Sequence, residues 1–311
     1  MRLVETALLL PPLLSAIILG SLYALMAMGL TLIYSTIRIL NFAHGAFFMA
    51  GAYIVWWLNT PQSYLSRLGL GSLGVSGLQI PLLVAVIPAV IIIFGAGVLT
   101  QRAVILPLIK KPNPLITTLV ATLALATILE SVATVIFGGG RFSYAQELVE
   151  GNVRFGGLIV TYVEIIQFAV AIGVLAALYL FLKKSRIGIG MRAVAQDLDA
   201  ASLCGINTQT VYLLTFGIGA ALAALAGFLL TNIIFLSPSV GATPLTIAFI
   251  VVVFGGIGSV PGTVIASYVV ALVQQYVTLL LDPSWGLSFA FILMIAVLII
   301  RPRGLFGFKE T

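Results

Sequence analysis

Few side chains in this 311-residue sequence could do chemistry, and their scarcity narrows the options. There is one His, His44, and one Cys, Cys204, so neither a His cluster for zinc or haem nor a disulfide framework can be assembled. An enzyme would need a nucleophile with its base, and no Ser-Gly elbow or paired carboxylate accompanies His44. No GxxxxGK[ST] run occurs, so the chain lacks that phosphate loop for binding and hydrolysing ATP. What remains is a set of isolated polar or glycine-rich positions. These are Asn41 and His44, three apart; Glu130, downstream of Thr117, Thr118 and Thr122; Gly255, Gly256 and Gly258 in one run; and the polar stretch from Lys183 to Thr210.

The elements that must position them lie in an apolar chain. Hydrophobic residues make up 61% and charged residues 8%, against about 45–50% and 25% in soluble domains. Such a chain has too little polar surface for a water-soluble globule, and the mean hydropathy of +1.21 agrees. The pattern predicts an all-α polytopic membrane protein. Apolar segments near 8–34, 40–58, 81–106, 115–137, 160–182, 211–236, 243–258, 261–281 and 285–300 give nine candidate spans. Segment 243–258 is the shortest and ends in glycines, so eight crossings with a re-entrant piece is the fallback. With nine crossings and the N-terminus outside, eleven of the fifteen Lys and Arg residues, from Arg38 to Lys309, lie inside. Arg2, Arg67, Arg141 and Arg154 lie outside, as the positive-inside rule requires. The basic residues thus sit in loops and indicate no nucleic-acid partner. The first apolar stretch runs on to Tyr34 without a polar exit and is read as a retained span. No linker or composition break divides residues 1–311, which form one membrane domain with 183–210 as an internal loop.

Each polar position has a structural and a functional reading. Asn41 and His44 share a predicted helical face one turn after Arg38; they either cap and satisfy the helix start or line a wet route. Glu130 costs about 2.5–3.5 kcal/mol if central in the bilayer, so it faces protein or a cavity, holding a neighbouring helix or lining a pathway with Thr118. The run Gly255-Gly256-Ile257-Gly258 is either a tight turn between spans or an unwound break whose backbone meets a zwitterionic solute.

The internal loop is the most structured of the interruptions. Met191–Cys204 lacks Gly and Pro and places Met191, Val194, Leu198 and Leu203 at helical spacing, predicting one amphipathic helix that Gly205 stops. A second element is expected at Ile206-Asn207. A mere connector would need only a handful of residues, so something docks there; the alternative is a helix resting on headgroups.

Asp199-Ala200-Ala201 followed after three residues by Gly205 resembles the EAA coupling loop of ABC importer permeases. The stretch Met191-Arg192-Ala193-Val194-Ala195-Gln196-Asp197, leading into Gly205-Ile206-Asn207, resembles branched-chain amino-acid permeases of the LivH type. So do Asn41-Phe42-Ala43-His44-Gly45 and Phe254-Gly255-Gly256-Ile257-Gly258-Ser259-Val260-Pro261-Gly262. Asp199 stands where the EAA pattern has Glu, Ala266 where the last signature often has Gly, and no Ile-x-Leu-Pro follows the loop. The resemblance implies a multi-pass subunit of a bacterial inner membrane importer for branched-chain amino acids or related small polar solutes. Its partners would be two cytoplasmic ATPase subunits carrying ATP and Mg, a second and different permease, and an external solute-binding protein. Arg192, Asp197, Asp199, Ala200, Ala201 and Gly205 would then form the ATPase contact, with no cofactor in this chain. The alternative function is a proton-coupled secondary transporter titrating Glu130 or His44, which would have no use for such a loop.

Overall fold

A computed structural model describes residues 2–61, 80–144, 149, 151–155 and 158–307. Most of the 59–79 interruption, Arg67 and Lys309 lie outside the described residues. Among the described residues, nine apolar helices overlap the nine expected segments. They are α1 (Arg2–Ile37), α2 (His44–Asn59), α3 (Leu82–Thr100), α5 (Pro114–Phe137), α6 (Tyr162–Lys184), α9 (Thr208–Leu230), α10 (Ala242–Gly255), α11 (Val260–Leu280) and α12 (Trp285–Ile300). A π-helical turn, Gln101–Ile105, continues α3 into the short α4 (Leu106–Ile109). Two further helices, α7 (Arg186–Gln196) and α8 (Leu198–Leu203), occupy the internal loop. Six of these stretches are long and apolar enough to cross a bilayer by length and composition. Helices α2, α10 and α12, at 16, 14 and 16 residues, fall short of the ~20 needed.

The all-α expectation needs one correction. Strands β1 (Asn152–Phe155) and β2 (Leu158–Thr161) form an antiparallel hairpin with Val153 opposite Val160 and Arg154 opposite Ile159. The β-branched residues of this short stretch favour a pleated strand, and the run is too short to nucleate a helix.

The chain divides into two compact units. One comprises Met1–Thr31, Val149–Tyr179 and Thr246–Thr311; the other comprises Leu32–Leu148 and Leu180–Leu245. In the first, the Thr31 and Thr263 hydroxyls meet at 2.7 Å and the Tyr23 hydroxyl donates to Gln274 Oε1 at 2.9 Å, fixing α1 against α11. Glu164 accepts from the Thr161 amide at 2.9 Å and so caps the start of α6.

In the second unit, α9 is the central helix and packs on α2 and α3. Its buried face includes Phe216, Ala220, Ala223 and Leu229. Close approach rests on small residues. A Cβ at Gly227 would collide with the Phe48 carbonyl, and one at Gly51 with Ala224. Within a bilayer no hydrophobic force drives helices together, so this backbone proximity supplies the packing that holds α2 to α9.

Candidate functional site

The loop between α6 and α9 is built from caps. Ser185 Oγ accepts from the Gly188 amide at 2.9 Å and starts α7, much earlier than the expected Met191. This start is possible because Gly188 lets α7 fold back onto the Phe181 carbonyl and Leu182 at the end of α6. The expected single helix over 191–204 is broken at Asp197, whose backbone is extended (φ −151°, ψ 113°). Its carboxylate accepts from the amides of Asp199 at 2.9 Å and Ala200 at 3.0 Å, so it ends α7 and caps α8. An N-capping Asp competes well with helix continuation, which propensity alone does not reveal.

Gly205 ends α8 as expected, with φ +80°. Its amide bonds to the Ser202 carbonyl and that of Ile206 to the Ala201 carbonyl, the 5→2 and 6→1 pair that satisfies a helix end. Ile206-Asn207 is not a separate element: Asn207 Oδ1 accepts from the Thr210 amide and caps α9. The loop is tied to the end of α1, where Arg38, at φ 61°, donates from Nη2 to the Ala195 carbonyl at 3.3 Å.

The expected docking face changes accordingly. Met191, Val194 and Ala201 are already buried within this chain, whereas Leu198 is 44% and Leu203 89% exposed. Arg192, Asp197, Asp199, Ala200 and Gly205 are exposed beside them. Asp199 is left with its carboxylate outward while its amide serves the cap.

Asn41 and His44 do not share a helical face, because α2 begins only at His44. Left-handed Arg38 ends α1, and the chain runs non-helically to Ala43. Thr122 Oγ1 accepts from the Phe42 amide at 3.2 Å. Thr122 lies eight residues into α5, about 12 Å along its axis. The unwound segment is thus about a third of the way along that 24-residue helix, within its apolar stretch, where backbone needs a partner. Asn41 Oδ1 supplies another by accepting from the Ala43 amide at 3.1 Å, while its Nδ2 is buried with no partner among the described residues. His44 is fully buried, and Gly45 rests on Gly241 at the foot of α10. Thr118 is also fully buried, but its hydroxyl is turned back onto the Pro114 carbonyl at 2.6 Å.

The glycine run is a turn between α10 and α11. Ser259 Oγ accepts from the Gly262 amide, and Gly256 and Gly258 have φ +101° and +85°. The Phe254 and Gly255 carbonyls accept from the Leu305 and Phe306 amides at 2.9 and 3.0 Å, so the segment after α12 takes up the backbone freed there.

Glu130 stands apart from these places. Half-buried on α5, it lines an open groove of about 690 Å³ with Thr127, Thr134, Arg141, Ser237 and Ser239. Phe142 and Leu236 exchange backbone hydrogen bonds at 2.8 Å in both directions, which sets Arg141 and Ser237 beside each other's strands. Phe142 is itself fixed by the Trp56 ring at 4.7 Å, and Phe137 stacks on Tyr53 at 4.4 Å. Sequence reading singled out Glu130 but paired it with Thr118. The spacing of Thr127, Glu130 and Thr134 at helical intervals was the available signal; Arg141, Ser237 and Ser239 are joined to them only by tertiary folding. A second unforeseen feature is Gln101, fully buried in the π-helical turn with neither amide atom paired among the described residues.

Residues 13–298 match the family model described as branched-chain amino acid transport system / permease component. The chain is 32% identical over 298 residues to the high-affinity branched-chain amino acid transport system permease protein BraD of Pseudomonas aeruginosa, covering 94% of each. It is 31% identical over 303 residues to the corresponding LivH protein of Escherichia coli K12, covering 96% of this chain and 95% of that one. A probable branched-chain amino acid transport permease protein LivH of Methanocaldococcus jannaschii is 29% identical over 306 residues, covering 94% and 90%. No solved structure matches significantly.

Proposed function

Because the chain belongs to the branched-chain amino acid transport system permease family, we propose that it carries branched-chain amino acids or related small polar solutes across the inner membrane of a bacterial cell. It is the transmembrane permease subunit of an ABC importer and not an enzyme. ATPase and solute-binding partners go with such a subunit. In our reading there are two ATPases, which hold ATP and Mg, and a second, different permease completes the membrane part. All nine apolar segments cross, the non-helical residues beside α2, α10 and α12 completing those short spans, with the N-terminus outside, the capped loop inside and the C-terminus on the loop side.

The observation that carries the coupling role is the exposure of Leu198, Asp199 and Leu203 on a loop whose every turn is capped. Driving an inward/outward equilibrium from 1:99 to 99:1 takes about 5.5 kcal/mol of differential binding. Two leucines contribute about 1.5–3 kcal/mol each when fully buried. Because Leu198 is only 44% and Leu203 89% exposed, burying what remains of the two contributes about 2–4 kcal/mol, and the apolar contact alone falls short of the requirement. Charged contacts through Asp199 and Arg192 make up the remainder and set the register of docking.

The test is uptake of radiolabelled leucine into proteoliposomes holding the full complex. Uptake should require ATP inside the ATPase compartment and persist when a protonophore collapses the pH gradient. Uptake that survives ATP removal and stops with the protonophore would establish the proton-coupled alternative instead.

A further inference from the structure

Helix α5 exposes Leu123, Ile128, Val132 and Val135, yet carries a polar band of Thr127, Glu130 and Thr134 between them. Facing this band, the segment after α5 brings Arg141 and the segment after α9 brings Ser237 and Ser239. A carboxyl group and a guanidinium group therefore line the same groove, and among the described residues no ion pair joins them.

We propose that this groove is a binding site for a zwitterionic α-amino acid, with Glu130 receiving the ammonium group and Arg141 the carboxylate. The site assignment rests on the importer reading above and deepens it. A zwitterion leaving water must have both charges met at once, because each is costly to desolvate alone. Glu130 offers only acceptors and an ammonium only donors; Arg141 offers five donors in a planar fork that suits a carboxylate. The hydroxyls of Ser237 and Ser239 can donate or accept and so complete either end, and that of Thr127, which donates to the Leu123 carbonyl at 3.1 Å, can still accept. A volume of about 690 Å³ falls in the range of small-molecule sites, about 300–1,000 Å³. Val135 at the rim provides apolar contact for a branched side chain. The Phe142–Leu236 backbone pair and the aromatic cluster behind it hold the backbone at Arg141 and Ser237 in place without substrate. The groove is thus a site formed in advance of binding.

The experiment reads occupancy separately from transport. In the full complex in nanodiscs, with Cys204→Ser removing the native thiol, Ser131→Cys places a maleimide target on the groove wall. L-Leucine should slow its labelling, whereas leucinamide, which lacks the carboxylate, and 4-methylpentanoate, which lacks the ammonium, should each protect only at about tenfold to a hundredfold higher concentration. Glu130→Gln should abolish the discrimination against 4-methylpentanoate and keep that against leucinamide; Arg141→Gln should do the reverse. Because each variant retains one discrimination, a collapsed fold is recognised as loss of both. Wild-type labelling indifferent to leucine, or discrimination unchanged in both variants, overturns the site even where ATP-driven uptake proceeds. Leucine protection in a complex that shows no ATP-driven uptake overturns the importer reading and leaves the site standing.

Discussion

Asp197 accepts the Asp199 amide at 2.9 Å, so the residue that best matches the signature position of a coupling loop is held in place by the carboxylate two residues before it. The neighbouring acids have different work: Asp197 shapes the loop, while the Asp199 carboxylate is free of any cap and faces outward.

That division gives opposite expectations for the two residues. Asp199→Lys should leave the permease inserted and thermally as stable as the wild type, with leucine uptake reduced at least tenfold. Asp197→Ala should cost about 1 kcal/mol of local stability through the lost cap and loosen α8, seen as faster proteolysis between Gln196 and Gly205. An Asp199→Lys complex that assembles and transports normally removes the coupling role.

Leu198 and Leu203 are both exposed, Leu203 almost fully. The double change Leu198→Ser, Leu203→Ser should preserve membrane yield and melting temperature but lower the ATPase subunits recovered with an affinity-tagged permease. Equal recovery from wild type and variant would show that the ATPases grip elsewhere.

Sidedness can be read without an engineered label. Cys204 is exposed and is the sole cysteine of the sequence. A membrane-impermeant maleimide should therefore miss the protein in intact cells and modify it in inside-out vesicles. Labelling from outside would place the loop on the wrong face for any cytoplasmic ATPase.

Where α2 meets α9, there is no room for a side chain. Gly227→Val should force the Phe48 carbonyl away, destabilising by at least the ~1–3 kcal/mol usual for overpacking. Gly205→Ala meets no neighbour. Its left-handed backbone nonetheless costs about 1–2 kcal/mol with any Cβ, and Gly205→Asn should recover part of that. Thermal melts of the purified variants in detergent rank the three.

The positions of the membrane helices were legible because twenty apolar residues in a row have little alternative to a span or a buried helix. The stop at Gly205 was equally plain, since a glycine after an amphipathic run marks a left-handed cap. The break at Asp197 was not, because the residue serves as well within a helix as at its end until its carboxylate finds two amides. The late start of α2 was hidden for a similar reason. Residues 39–43 are apolar enough to continue a helix, and only the Thr122 hydroxyl and the Asn41 side chain make the unwound path tolerable at that depth. For the groove, Glu130 could be recognised as an expensive residue needing company. Its companions Arg141 and Ser237 lie in segments far apart in sequence, and the backbone pairing that unites them leaves no periodic trace.

The succession of caps from Ser185 to Asn207 has a mechanical consequence. With every bend locked by its own hydrogen bonds, a thrust against Leu203 has no soft joint in which to dissipate before it reaches Thr208 and the axis of α9. That shaft is seated without side-chain padding against Phe48 and Gly51, so a displacement delivered at its base travels to the foot of α2 beside the buried His44. On the proposed coupling role, the loop would work as a stiff crank.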